Sequence, residues 1–103
     1  MKLFWARKAT QNMLIYKTKK YQKSLKKVLR SGKINILEID KIVDLLAQNE
    51  LIPLKYQDHN LTGEFEGCRE CHIRPDILLL YRIERGEIVL ILIDIGSHSE
   101  LFG

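Results

Sequence analysis

The sequence has few of the residues that mark fibrous, disulfide-rich or membrane-spanning chains. Only two of its 103 residues are proline and only two are cysteine, which excludes a proline-rich linker and a disulfide framework. No apolar run approaches the roughly 20 residues that span a bilayer, and the apolar stretch near Met1 is too short for a secretory signal. The chain is therefore expected to form one globular domain in the reducing cytoplasm.

Acidic residues are missing from the first third of the chain. Residues 1–33 hold 11 of the 17 Lys and Arg and no Asp or Glu, whereas residues 34–103 hold six basic and 13 acidic side chains. Segregated positive charge suits a surface that binds a polyanion, because neutralising phosphates releases condensed counterions. The alternative is a solvated helix face whose acidic partners lie nearby in space.

The periodicity predicts a first helix over about residues 18–31. Apolar residues recur on one face of it, and they are Tyr21, Leu25, Val28 and Leu29. Gly32 follows, and glycine readily adopts the left-handed backbone that ends such a helix. The opposite face carries a basic set, which consists of Lys19, Lys20, Lys23, Lys26, Lys27 and Arg30.

A second helix is predicted over about residues 36–50, with Pro53 beyond its end. The chain before the first helix is less regular. Residues 1–12 have no clear period and are predicted to be an N-terminal appendage to a folded domain over residues 13–103, which opens with a short β-prone run at 13–16.

The second half changes to strand patterning, with strands predicted over about residues 67–74, 77–84 and 87–95. The turns Pro75-Asp76 and Arg85-Gly86 join them through connections so short that neighbouring strands must be antiparallel. Helices first and strands second predict an α+β fold, in which the two N-terminal helices pack on one face of a small antiparallel sheet.

All three histidines lie outside the predicted helices. His59 is in a loop, His72 is in the first of the three strands, and His98 follows the last. Strand alternation puts Glu70 on the same face as His72, and the turn-borne Asp76 is predicted to lie near His72 and the exit of the last strand. Imidazoles beside carboxylates suit general acid–base chemistry near neutral pH. The alternative is three surface histidines without a chemical role.

Cys68 and Cys71, with His72, resemble a zinc-ligand spacing only superficially. Residues three apart in a strand point to opposite faces and cannot easily close on one tetrahedral ion. Redox chemistry of the thioredoxin type needs the cysteine pair at a helix start in a βαβ unit, which this sequence lacks. The two thiols are predicted to be small, half-buried side chains. No phosphate loop, nucleophile elbow or metalloprotease helix is present, and no metal or other cofactor is predicted.

Three histidine-bearing segments together resemble the YafQ-type toxins of the RelE superfamily. They are Tyr56-x-Asp58-His59-x-Leu61-x-Gly63, Gly67-Cys68-Arg69-Glu70-Cys71-His72-Ile73-x-Pro75-Asp76 and Gly96-Ser97-His98-Ser99-Glu100-Leu101-Phe102. The segments span about 47 residues. The order of two helices followed by antiparallel strands extends the likeness back to about Met13.

The resemblance implies a toxin that enters the decoding site of a translating ribosome and cuts messenger RNA there. The 2′-hydroxyl upstream of the scissile phosphate would be the nucleophile, and side chains would transfer protons and stabilise charge without a metal. Carried over by motif, the active-site set is His59, His72, Asp76, His98 and Phe102. One position departs from the pattern, because Ile77 stands where the family often has Trp, so a stacking role there is not carried over.

Within that set, the resemblance implies distinct roles. His98 is the candidate proton donor to the leaving 5′-oxygen, while His72 or Asp76 would assist deprotonation of the 2′-hydroxyl. Phe102 would stack on a displaced base, and its alternative is a C-terminal hydrophobic plug. Glu70 would orient His72.

The resemblance also implies partners. The basic face of the first helix would hold ribosomal RNA while the histidines face the message, because phosphate contacts position a protein and base contacts specify sequence. A dedicated antitoxin would cover or distort the site, and the complex would bind operator DNA through the antitoxin.

Two other functions fit parts of the sequence. ParE-type relatives share the scaffold but inhibit DNA gyrase and lack the histidine set, so the presence of all three histidines argues against that function. A plain RNA-binding module would use only the basic helix, and its binding to free RNA would be salt-sensitive but indifferent to histidine substitution.

Overall fold

A computed structural model describes residues 13–84 and 89–103. The predicted appendage at 1–12 and the Arg85-Gly86 turn lie outside these ranges. The elements in chain order are β1 Leu14–Lys17, α1 Lys19–Arg30, α2 Ile36–Ala47, β2 His59–Asn60, β3 Arg69–Arg74, β4 Ile77–Glu84, β5 Val89–Gly96 and α3 His98–Phe102. Short 3-10 turns occupy Leu54–Tyr56 and Gly63–Phe65. No helix within the described ranges is long and apolar enough to cross a bilayer.

Both predicted helices are confirmed, and local signals set their ends. The hydroxyl of Thr18 caps α1 by accepting a hydrogen bond from the backbone N–H of Tyr21 at 3.0 Å. Gly32 takes φ +76 just beyond its other end. The helix α2 begins with a capping box between Asn35 and Glu38. It ends at Ala47, three residues before the predicted boundary, and Asn49 lies in the left-handed region with φ +58.

The strand order of the sheet is β1-β5-β4-β3-β2. The predicted antiparallel arrangement of β3, β4 and β5 is confirmed. The strand β1 pairs parallel with β5, which makes the sheet mixed. Sequence patterning did not identify β1 as a member of the sheet because its four residues are all exposed, so burial imposes no alternation on them.

The core has two parts, one on each face of the sheet. The larger part lies beneath α1 and α2, and its fully buried side chains include Tyr21, Ile39, Leu79, Leu90 and Leu92. The two N-terminal helices therefore pack on one face of the sheet, as predicted. The opposite face carries a smaller cluster around Leu78, Leu80 and Leu101, with Phe65 and Phe102 packed against it. That cluster anchors the short helix α3, which the sequence patterns did not predict.

Candidate active site

Two histidines converge on one carboxylate at the β2–β3 edge of the sheet. His59 pairs with Glu70 across the strands, and His72 is two residues further along β3 on the same face. The Oε1 atom of Glu70 lies 3.4 Å from Nε2 of His59 and 3.6 Å from Nε2 of His72. Glu70 is only 5 % exposed. Because solvent screens a buried group weakly, this carboxylate interacts with both imidazole rings.

The ring of His59 is fixed at its second nitrogen as well. Its Nδ1 lies 2.6 Å from the carbonyl oxygen of Gln57. A carbonyl oxygen can only accept a hydrogen bond, so Nδ1 is the protonated nitrogen in the neutral ring, and Nε2 is left facing Glu70. The ring centroids of His59 and His72 are 6.4 Å apart, which leaves the two imidazoles as neighbours over a shared carboxylate.

The third histidine belongs to a group of rings around α3. The ring centroid of His98 lies 5.1 Å from that of Phe102, and Phe65 meets Phe102 edge-on at 5.0 Å. Sequence reasoning selected His98 and Phe102 but missed Phe65, which lies in a 3-10 turn. Phe65 supports Phe102 from the sheet side, while His98 is exposed beside it.

Three local features hold α3 in place. A capping box joins Ser97 and Glu100, as both the side-chain and the backbone hydrogen bonds are present. Gly96 permits this geometry, because a Cβ there would lie 2.9 Å from the Glu100 carboxylate. Lys27 of α1 pairs with Glu100 at 2.8 Å. The Lys27 hydrogen bond, together with those from Ser97, lowers the pKa of Glu100 to about 2.

The strand register brings the two histidine groups to one end of the sheet. His72 lies opposite Leu78, and Leu78 lies opposite Gly96. Two antiparallel spacings of about 5 Å each put the backbone of His72 roughly 10 Å from that of Gly96. His98 follows two residues later. The sequence predicted that His72 and the end of the last strand lie at the same end of the sheet, and the register confirms it.

Asp76 occupies the β3–β4 turn and has a different partner. Its carboxylate lies 3.5 Å from Nζ of Lys33. Within the described residues it forms no ion pair with a histidine. It lines a groove of about 290 Å³ together with Gly96 and Ser97. Asp76 is thus near the exit of β5, as expected, but directed at a lysine.

A side-chain network that sequence reasoning missed lies on the other side of His59. Arg69 donates hydrogen bonds to the residues that flank His59, which are Asp58 and Asn60, and the hydroxyl of Tyr81 also donates to Asp58. No local pattern predicted this network, because the sequence placed His59 in a loop, where strand alternation does not apply.

The cysteines do not form a site. Cys71 is fully buried in the helix-side core, whereas Cys68 packs with the opposite cluster, so the expectation that they face opposite sides is confirmed. The prediction that both are half-buried is wrong for Cys71, because its strand position lies directly under the helices. Burial raises the pKa of the Cys71 thiol to about 12, which keeps it protonated and unreactive.

All six side chains of the basic set on α1 are exposed. Two of these lysines also form ion pairs with carboxylates of the same chain. Lys20 lies 3.5 Å from the buried carboxylate of Asp94, and Lys27 pairs with Glu100. The solvated-face alternative therefore holds for this pair in part, while Lys19, Lys23, Lys26 and Arg30 extend the positive surface.

The α+β fold is the one expected of a toxin of the RelE superfamily, and its sheet carries a histidine–carboxylate cluster at one end. Residues 13–103 match the family described as "Bacterial toxin of type II toxin-antitoxin system, YafQ". The match spans most of the chain, and the chain belongs to this family.

Known relatives agree in sequence and in structure. A protein of Escherichia coli (strain K12) named mRNA interferase toxin YafQ is 32 % identical over 84 residues, which are 81 % of this chain and 88 % of the relative. A metal-bound toxin from Helicobacter pylori is 41 % identical, with a TM-score of 0.80 over 87 % of this chain and 99 % of that one. The E. coli DinJ-YafQ toxin-antitoxin complex matches at 29 % identity and a TM-score of 0.79, over 89 % and 99 % of the two chains.

Proposed function

We propose that this toxin is an mRNA interferase, an endoribonuclease that cuts messenger RNA in the A site of the translating ribosome and so inhibits translation. One observation carries the proposal: His59 and His72 share the buried Glu70, at the sheet end where His98 begins α3. Imidazoles beside a carboxylate suit proton transfer at neutral pH. The E. coli relative that bears the name mRNA interferase toxin supports the same activity.

The proposed reaction is a transfer within the RNA. His72, beside Glu70, takes the proton of the 2′-hydroxyl as its oxygen forms a bond to the phosphorus. The bond from phosphorus to the 5′-oxygen breaks, and His98 gives that oxygen a proton. The products are a 2′,3′-cyclic phosphate and a 5′-hydroxyl. The contact of Asp76 with Lys33 favours His72 over Asp76 as the base.

The remaining site residues hold the substrate. His59 has an exposed ring beside the Glu70 carboxylate, and its protonated form would attract a phosphate oxygen by its charge. Phe102 is partly exposed and backed by Phe65, so it offers a ring on which a displaced base can stack. Stacking tolerates any base, which suits an enzyme that meets many codons.

The proposed reaction uses no metal. Imidazole nitrogen and carboxylate oxygen are ligands for zinc and copper, and a similar Helicobacter pylori structure is metal-bound. In this chain both Nε2 atoms lie within 3.6 Å of the same Glu70 oxygen. Within residues 13–84 and 89–103 no group of three or more His, Cys, Asp or Glu is placed to hold a metal ion. The proposed reaction takes its proton transfers from side chains.

The proposed partners are an antitoxin and the ribosome. The DinJ-YafQ complexes support a cognate antitoxin for this chain, which we expect to bind operator DNA as part of the complex. Lys19, Lys23, Lys26 and Arg30 would contact ribosomal RNA phosphates. Because the proposed targets are the ribosome and the message, we expect the toxin to act in the cytoplasm.

The test is to map message ends in a reconstituted translation system, with the ribosomes present or omitted. We expect new ends inside codons only when ribosomes translate, with a 5′-hydroxyl on the downstream fragment. Equal cutting of free RNA would overturn the ribosome-dependent assignment. Intact messages alongside arrested DNA gyrase would favour the ParE-type function.

A further inference from the structure

We propose that Arg69, together with Asp58 and Tyr81, is a positioning device that holds His59 against Glu70. The inference rests on the proposed function and adds three residues to it. None of the three faces the space between the histidines, so they act through His59 rather than on RNA.

The need for such a device follows from the size of β2. This strand has only two residues, His59 and Asn60, and both are exposed. Among the strands of residues 13–84 and 89–103 it lies at the edge of the sheet, next to β3. So short a pairing supplies few backbone hydrogen bonds and little buried apolar surface. Side-chain contacts must therefore help to fix the ring of His59.

Arg69 provides those contacts from the adjacent position of β3. In the register it lies opposite Asn60, while Glu70 lies opposite His59. Its Nη1 donates to Oδ1 of Asn60 at 2.5 Å, and its Nη2 donates to Oδ2 of Asp58 at 3.0 Å. The guanidinium thus binds the residue on either side of His59, and its planar fork fixes both at once.

Tyr81 of β4 anchors this network in the core. It is 1 % exposed, and its hydroxyl donates to Oδ1 of Asp58 while accepting from Nε of Arg69 at 3.3 Å. The side chains of Asp58 and Arg69 are 23 % and 31 % exposed, so solvent screens their attraction only in part. Asp58 raises the pKa of the Arg69 guanidinium further. The geometry ties β2 to a fully buried residue of the core.

These contacts determine which way the His59 ring faces. Contacts on the helix side of β2 turn the His59 ring to the opposite side, towards Glu70. The gap of 3.4 Å from Nε2 of His59 to Glu70 is already longer than an ordinary hydrogen bond. A small shift of β2 would break it, and a misplacement of about 1 Å at a catalytic group can cost roughly 10²-fold in rate.

The experiment compares Tyr81→Phe and Asn60→Ala with wild-type toxin on translating ribosomes. Asn60 is exposed, so its replacement spares the core, and Tyr16→Phe on β1 is the matched control for removal of a hydroxyl. We expect the cleavage rate constant to fall about tenfold or more in Tyr81→Phe and less in Asn60→Ala, with ribosome affinity unchanged. The ¹H–¹⁵N signals of the His59 imidazole should move in both variants and stay in Tyr16→Phe.

A His59→Ala background separates positioning from a general loss of stability. If Tyr81 acts through His59, adding Tyr81→Phe to His59→Ala causes no further loss of cleavage. Multiplying losses, or unmoved His59 signals with full activity in Tyr81→Phe, would overturn the inference. Wild-type toxin that cuts no message would instead overturn the proposed function, and the imidazole signals would still test the positioning.

Discussion

The buried carboxylate of Glu70 lies 3.4 Å from the imidazole of His59, across the shortest pair of strands in the sheet. The side chain of Glu70 is 7 % exposed, whereas that of His59 is 49 % exposed. A fixed negative charge thus lies beneath a ring that substrate can reach. Because His72 contacts the same oxygen, Glu70 links the two imidazoles electrostatically.

The first prediction is that Glu70→Gln lowers the rate of message cleavage by about 10²-fold, because both imidazoles lose the charge that orients them. The substitution keeps the volume of the side chain, so the fold should persist. Single-turnover cleavage on stalled ribosomes measures the effect. Glu66→Gln, in the exposed loop before β3, is the control and should cleave at the wild-type rate. Equal rates for the two variants would remove Glu70 from the site.

The second prediction concerns the basic face of α1. Reversing Lys19, Lys23 and Lys26 to Glu should weaken ribosome binding and reduce its salt slope by about 0.7–0.9 for each phosphate that the toxin no longer neutralises. The fold should survive, because all three side chains are exposed. Binding measured across ionic strengths checks this. Lys41→Glu on α2 should leave the slope unchanged, and an unaltered slope in the triple variant would exclude α1 as the RNA-binding surface.

The third prediction uses the Lys27–Glu100 pair that ties α3 to α1. The pKa of Glu100 is lowered to about 2 in the folded protein, against an ordinary value near 4.5. Its stabilising effect is therefore complete above about pH 4.5 and lost as the pH falls towards 2. The pair is exposed, so its contribution is small.

Glu100→Gln preserves the capping box and isolates the charge. At pH 7 it should lower the melting temperature by about 1–5 °C, and the difference from wild type should narrow between about pH 4.5 and 2. Thermal unfolding at several pH values measures it. A difference that stays constant across this range would show that the ion pair contributes nothing.

Much of the fold could be predicted from the sequence, because burial of one face makes apolar residues recur at regular spacing. Tyr21 and Val28 marked the inner face of α1, and the apolar runs of β4 and β5 marked central strands. The run at 13–16 was recognised as β-prone, but β1 was not assigned to the sheet because its residues are exposed. Helix α3 was not predicted, because five residues are too few to show a helical repeat of apolar side chains. Ser97 and Glu100 nevertheless have the spacing of a capping box.

The site could be predicted only in part. Strand alternation placed Glu70 beside His72, and motif resemblance selected His59, which no local pattern connects to that strand. The pairing of β2 with β3 is a tertiary contact, accompanied by hydrogen bonds from Arg69 and Tyr81 to residues 9, 11 and 23 positions away in the sequence. Asp76 was expected beside a histidine, but the charge of Lys33, contributed by the α1–α2 connection, attracts it instead.

The most direct test of the account is message cleavage by His72→Ala and His98→Ala toxins, with melting temperature measured on the same preparations. A general acid or base contributes about 10²–10⁴-fold, so each variant should lose cleavage and toxicity while keeping its fold and its antitoxin binding. The double variant should be little worse than the more damaged single one. Full cleavage by well-folded His98→Ala protein would contradict the role of His98 as the proton donor, and toxicity without any cut message would favour an RNA-binding module that acts without catalysis.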